Sequence, residues 1–236
     1  MDDDRTPLST RTPPDSPLRS RLVRGGAAAL PLAFLAAFFV WPVVSIVWTG
    51  LTPGGSLDAS PFIDVATDGS LLEVAWFTLW QAALSTVLTL VVALPGAWVL
   101  ARFDFPGRSL VRAAVTVPFV LPTLVVGTAF LALVGPGGAL GIRLDGTVWA
   151  ILAAHVFFNY AVVLRTVGGL WSHLDPSLEE AARSLGAGRW RTFVEVTLPL
   201  LRPAIAAAAS IVFLFTFTSF GIVLILGGGR LATLEV

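Results

Sequence analysis

The chain has 236 residues, of which 56% are hydrophobic and 13% charged. With a mean hydropathy of +0.84, it is too apolar for a soluble domain, where about a quarter of residues are charged. Its formal net charge is +0, its basic residues are all Arg, and Lys is absent, so no basic field exists to hold nucleic acid. Cysteine is also absent, which excludes disulfides, thiolate metal sites and cysteine nucleophiles.

Residues 1–24 mix Asp2, Asp3 and Asp4 with Pro7, Pro13, Pro14 and Pro17 and several Arg, and show no small-residue cleavage site. They read as a disordered cytoplasmic tail rather than a secretory signal, because they offer too little apolar surface to offset ordering entropy. A bilayer core needs about 20 apolar residues in a helix. Five segments meet that length: 26–48, 74–101, 113–134, 147–170 and 204–226. None alternates with the period of two that a barrel strand requires. The expected fold is all-α, a polytopic transmembrane helical bundle of about five spans. Residues 25–71 would form the first span and an outer loop, and 72–236 the bundle core.

Arg placement sets an orientation. Arg5, Arg11, Arg19, Arg21 and Arg24 lie before the first span, Arg102, Arg108 and Arg112 after the second, and Arg183, Arg189, Arg191 and Arg202 after the fourth. Between the first two spans there is no Arg, but there are Asp58, Asp64 and Asp68. The excess of Arg on cytoplasmic loops places the amino terminus and the loop 171–203 inside a plasma membrane, with 227–236 outside. The last residues read as the start of another element, so at least one further span is expected beyond them. Pro118 and Pro122 should kink the third segment, either as part of a moving pathway or as a static bend.

The loop 171–203 has about thirty residues where a plain connection needs far fewer. Asp175-Pro176 is a helix start: Asp caps free N–H groups and Pro suits the first helical position. Glu179 and Glu180 favour the positive end of the helix dipole. Leu178, Ala181, Ala182 and Leu185 fall at i, i+3, i+4 and i+7 and make one apolar face. Gly186 can adopt the left-handed conformation that closes the helix. A second short helix is expected from 189 to 196, with Pro199 and Pro203 breaking the backbone before the fifth span.

Within this loop Glu180-Ala181-Ala182 is followed, after three residues, by Gly186, and nine residues later by Val196, Thr197, Leu198 and Pro199. That spacing resembles the EAA signature of permease subunits of binding-protein-dependent ABC importers, with Val196 in place of the family's Ile. The resemblance implies a type I importer permease whose loop is a coupling helix seated in a cleft of a cytoplasmic ABC ATPase dimer. The coupling residues would be Glu179, Glu180, Ala181, Ala182, Gly186, Val196, Leu198 and Pro199. It further implies an extracytoplasmic solute-binding protein, a second permease half or subunit, and surrounding lipid as partners. ATP and Mg would be bound by the ATPase, with no cofactor or metal in this chain. The stretches 101–108 and 117–123, and the run from Ser219 to Gly229, are similar to permeases of the thiamine and ferric-iron branch. Those cargoes are therefore expected, in an amino-terminal half of a longer fused chain.

Several larger polar residues fall inside the apolar segments. Thr78, Gln81, Ser85 and Thr89 share one helical face, His155 and Asn159 are four apart, and Thr216, Thr218 and Ser219 cluster. Gln81, Pro118, Pro122, His155, Asn159 and Ser219 are candidates for lining a translocation path; interhelical hydrogen bonding is the competing role. An intramembrane enzyme is disfavoured. There is no carboxylate pair within the spans, no H-E-x-x-H, no Gly-x-Ser-x-Gly, and no P-loop lysine. A secondary carrier or channel, which places broken helices at midplane, is the alternative to an ATP-coupled permease.

Overall fold

The computed structural model of the chain describes residues 29–52, 55–58 and 60–236, and among them all regular secondary structure is helical. The tail expected at 1–24 lies outside the described residues. The chain divides into two units, Met1–Thr67 and Asp68–Val236. The first contains α1 (Ala29–Leu51) and α2 (Ser60–Thr67). At 23 residues, α1 reaches about 35 Å, enough to cross a hydrocarbon core.

The second unit begins with α3 (Gly69–Arg102). This helix starts earlier than 74 because Asp68 is its N-cap, its carboxylate accepting from the N–H of Ser70 at 2.8 Å and of Leu71 at 3.3 Å. Then follow α4 (Arg108–Val120), α5 (Thr123–Val134), α6 (Val148–His173), α7 (Pro176–Ser184), α8 (Arg189–Phe217) and α9 (Phe220–Leu226). α6 is the axis of the unit. One of its faces packs Val163, Val167 and Trp171 against Ala93 of α3 and Leu201, Ala208 and Val212 of α8. Another packs Ala150, Ile151 and Ala154 against Val126 of α5 and Ile222, Val223 and Leu226 of α9. Small residues at these contacts suit a membrane bundle, where close van der Waals packing replaces hydrophobic exclusion as the glue.

Three expectations are corrected. The third segment is broken rather than merely kinked: α4 and α5 meet at 105°. Leu121 precedes a proline, which disfavours the helical region for it, and it is extended at φ −72° and ψ 143°. Pro122 therefore stands as the N-cap of α5, while Pro118 lies buried near the end of α4. Second, 189–196 is not a separate helix and Pro199 and Pro203 do not break the chain; α8 runs through both. A wide π-turn at Phe193–Thr197, closed by the Leu198 N–H on the Phe193 carbonyl, precedes Pro199. The extra residue in that turn relieves the clash a proline ring makes with the carbonyl four residues back. Third, the fifth segment is not continuous to 226. α8 stops at Phe217, and Ser219, at φ −87° and ψ 81°, separates it from α9.

The second break sits against the first. A β-carbon on Gly221 of α9 would lie 2.5 Å from Thr123 Oγ1 and 2.9 Å from the Leu124 backbone nitrogen of α5. One on Gly127 of α5 would lie 3.0 Å from Ile225 Cβ of α9. These two glycines let the short helices beyond each break lie in direct contact.

Candidate functional site

The loop between α6 and α8 is built as its residue types demand. The Asp175 carboxylate accepts from the Ser177 N–H at 2.9 Å, and that bond holds its pKa below the ordinary carboxylate value. Pro176 occupies the first turn of α7. At the other end Gly186 is left-handed at φ +87°. There the Ala187 N–H reaches the Ala182 carbonyl at 3.1 Å and the Gly186 N–H reaches Arg183 at 2.9 Å, satisfying the end carbonyls.

No residue of α7 is buried. Leu185 is 90% exposed and Leu178 is 46% exposed, so much of the apolar face stays open. Ala181, Glu180 and Gly186 are exposed as well, and Ala182 is half-buried. An apolar face left open on a capped helix outside the spans fits a docking element.

Glu179 behaves differently from Glu180. Its Oε1 accepts from Arg102 Nη2 at 2.6 Å and from Thr197 Oγ1 at 3.0 Å, and Oε2 stands 3.6 Å from Arg183 Nη2. Arg102 and Glu179 are only 18% and 21% exposed. One carboxylate thus ties α7 to the end of α3 and to the π-turn of α8. The sequence pattern placed Glu179 beside Glu180 in the first turn; nothing in it showed that one turns inward as a brace. Val196 and Leu198 flank Thr197 in the same turn and are half-buried, as is Pro199. Trp190 is 76% exposed and packs on Phe193, which stacks on Trp171 of α6.

The polar residues of the spans form a second cluster. Ser85 Oγ lies 3.0 Å from His155 Nδ1, and His155 Nε2 lies 2.8 Å from Ser219 Oγ. Gln81 Nε2 donates to the Thr216 carbonyl at 3.1 Å, and Asn159 Nδ2 to the His155 carbonyl at 3.0 Å. Thr216 Oγ1 donates to Val212 at 2.9 Å. Gln81, Ser85, His155, Asn159, Thr216 and Ser219 are all buried. The imidazole, bridging two hydroxyls with one donor and one acceptor nitrogen, is satisfied as a neutral ring. Gln81 Oε1 and Asn159 Oδ1 have no protein partner. The cluster joins α3, α6 and the α8–α9 break. Pro118 and Pro122 are not part of it, and Pro122 is exposed at the α4–α5 bend.

Residues 93–234 match the family described as binding-protein-dependent transport system inner membrane component. The chain is 31% identical over 215 residues to a probable sulfate transport system permease protein cysT of Chlorokybus atmophyticus, covering 88% of this chain and 74% of that protein. It is 35% identical over 172 residues to the sulfate transport system permease protein CysT of Escherichia coli, covering 70% of this chain and 62% of that one. It is 32% identical over 231 residues to the thiamine transport system permease protein ThiP of Brucella abortus, covering 93% of this chain but 41% of that protein. In structure it is similar to a bacterial ABC transporter involved in the import of the acidic polysaccharide alginate. There the TM-score is 0.67 at 21% identity, over 91% of this chain and 78% of the other.

Proposed function

The chain belongs to the family of binding-protein-dependent transport system inner membrane components, and from that premise we propose how it works as the permease subunit of an ABC importer. α7 is the element an ATPase dimer grips, through Leu178, Ala181, Ala182 and Leu185 with Glu180 at the rim. The observation that carries this is the pairing of an exposed apolar face on α7 with the Glu179 brace beneath it. A grip on a loose loop would be absorbed locally. A grip on α7 is passed to the end of α3 through Arg102 and to α8 through Thr197. Both helices pack on α6, so the push reaches the midplane, where the two broken spans meet. Energy comes from ATP and Mg held by the partner. Solute is delivered by a binding protein on the opposite face, and the pathway is completed by a second permease half or subunit. In this reading the amino terminus and α7 are cytoplasmic, consistent with the Arg distribution.

For cargo, sulfate stands first because the CysT permeases of two organisms resemble this chain over most of its length. Thiamine is the second reading, supported by the match of 93% of this chain to ThiP. Ferric iron rests on the sequence resemblance alone. The test is ATPase activity of the full permease–ATPase complex with binding protein loaded with sulfate, thiamine or ferric iron. Stimulation by sulfate alone supports the first reading, and stimulation by thiamine alone replaces it with the second. A permease that captures no ATPase returns the ATP-independent carrier to the front.

A further inference from the structure

The arginines near α7 differ in what they meet. Arg102 and Arg183 pair with Glu179, Arg108 with Asp104, and Arg191 with Glu195. Among the described residues, Arg112 of α4 and Arg165 of α6 have no carboxylate partner, and both line one cleft. The cleft, about 300 Å³, lies where the ends of α3, α4 and α6 converge. Leu100, Thr116, Ser172 and His173 complete its polar wall, and no acidic side chain lines it.

Most of its other polar groups are already engaged. Thr116 donates to the Arg112 carbonyl at 2.8 Å and Ser172 to the Gly169 carbonyl at 2.8 Å. His173 Nδ1 meets the Gly169 carbonyl at 2.8 Å. The Leu100 carbonyl takes Arg108 Nη2 at 2.7 Å and leaves Arg112 Nη2 at 3.4 Å, a poor bond. The unmet capacity of the cleft is thus two guanidinium forks, groups whose planar donor sets match the oxygens of a tetrahedral oxyanion. An arginine placed only to mark the cytoplasmic side needs no such convergence. Arg112, Arg165 and Arg202 are all exposed, and Arg202, also without a carboxylate partner among the described residues, lies outside the cleft on α8.

We propose that the cleft between Arg112 and Arg165 binds a tetrahedral oxyanion of the sulfate or phosphate class. The anion comes either free from solution or as the phosphate of an anionic lipid headgroup. The site does not depend on the cargo assigned above. If sulfate is the cargo, the site lies at the α7 end of the bundle, where sulfate would leave.

The full permease–ATPase complex, reconstituted without binding protein in phosphatidylcholine nanodiscs, is tested for equilibrium binding of radiolabelled sulfate. A parallel preparation containing phosphatidylglycerol is tested for retained anionic lipid by native mass spectrometry. For a free-anion site, sulfate affinity falls at least about tenfold in Arg112→Gln/Arg165→Gln and is unchanged in Arg202→Gln. For a headgroup site, phosphatidylglycerol retention shows that pattern instead. Phenylglyoxal labelling of the wild-type complex makes the test independent of how the variants fold: the bound anion shields Arg112 and Arg165 and leaves Arg202 reactive. The proposal is overturned if neither anion is held more tightly by wild type than by the double variant, or if neither shields the two arginines.

Discussion

The buried His155 cluster and the α7 loop are both polar islands in an apolar chain, but they meet their polar needs in opposite ways. Around His155, neutral groups from α3, α6 and the α8–α9 break bond to one another and leave only Gln81 Oε1 and Asn159 Oδ1 unmatched. Around α7, one internal carboxylate is satisfied by Arg102 and Thr197 while the outward face, with Leu185 and Glu180, stays exposed among the described residues. In hydrocarbon an unpaired polar group has no water to fall back on, so the cluster must close on itself. Outside the spans an apolar face can stay open for a partner to cover, which is the role proposed for the ATPase. On the proposed reading, the buried cluster bears on stability and the α7 loop on coupling.

The largest effects should come from the open face. Gly186→Asp puts a charged side chain on the open face at a left-handed position, φ +87°, that favours glycine. Together with Glu180→Arg, tested separately, it should abolish ATPase copurification while leaving membrane insertion intact; normal copurification of both variants contradicts the docking face. Next is the brace. Arg102→Met or Glu179→Gln should leave ATPase bound but lower ligand-stimulated transport by about tenfold or more. The swap Arg102→Glu/Glu179→Arg should recover part of it, and full transport in either single variant removes the brace from the mechanism.

The closed region should give the reverse pattern. Gly221→Ala forces a β-carbon onto Thr123 and Leu124, an overpacking that costs about 1–3 kcal/mol. Its thermal midpoint should fall, with ATPase association kept. His155→Leu removes two interhelical hydrogen bonds worth about 0.6 kcal/mol each. A drop of about 2–4 °C is expected, and loss of ATPase binding at unchanged melting would erase the contrast between the regions. The smallest effect is at Asp175, where Ala removes the N-cap and Asn preserves it. The folded pKa is lowered, so its contribution is complete above the unfolded value of about 3.9 and is lost only as pH falls through the folded one. Complex stability near pH 7 should therefore be insensitive to this group's titration, and a pH dependence between 5 and 8 would have to come from elsewhere.

How far these features were legible depended on whether the signal was local. Asp175-Pro176, the apolar positions of α7 and Gly186 are short-range signals, and the helix forms where they point. The α4–α5 bend was half legible: Pro122 marked the spot, but proline chemistry alone does not distinguish a kink from a 105° turn. The α8–α9 break was hidden, because Thr218-Ser219 carries neither Gly nor Pro and the chain turns there in a polar setting shared with α3 and α6. Pro199 and Pro203 misled in the opposite sense: Pro199 follows a π-turn that makes room for it, and the helix runs on through Pro203. Glu179 and Glu180 are chemically identical neighbours, and partners distant in sequence, Arg102 and Thr197, mark which one is internal.

The central claim is that α7, braced by Glu179, passes the partner's ATP-driven movement to the spans. The most direct measurement is ATPase activity of the purified permease–ATPase complex with and without loaded binding protein, for wild type beside Glu179→Gln. The account predicts that loaded binding protein stimulates wild type and leaves the variant, with its ATPase still bound, unstimulated. Equal stimulation of both would contradict it.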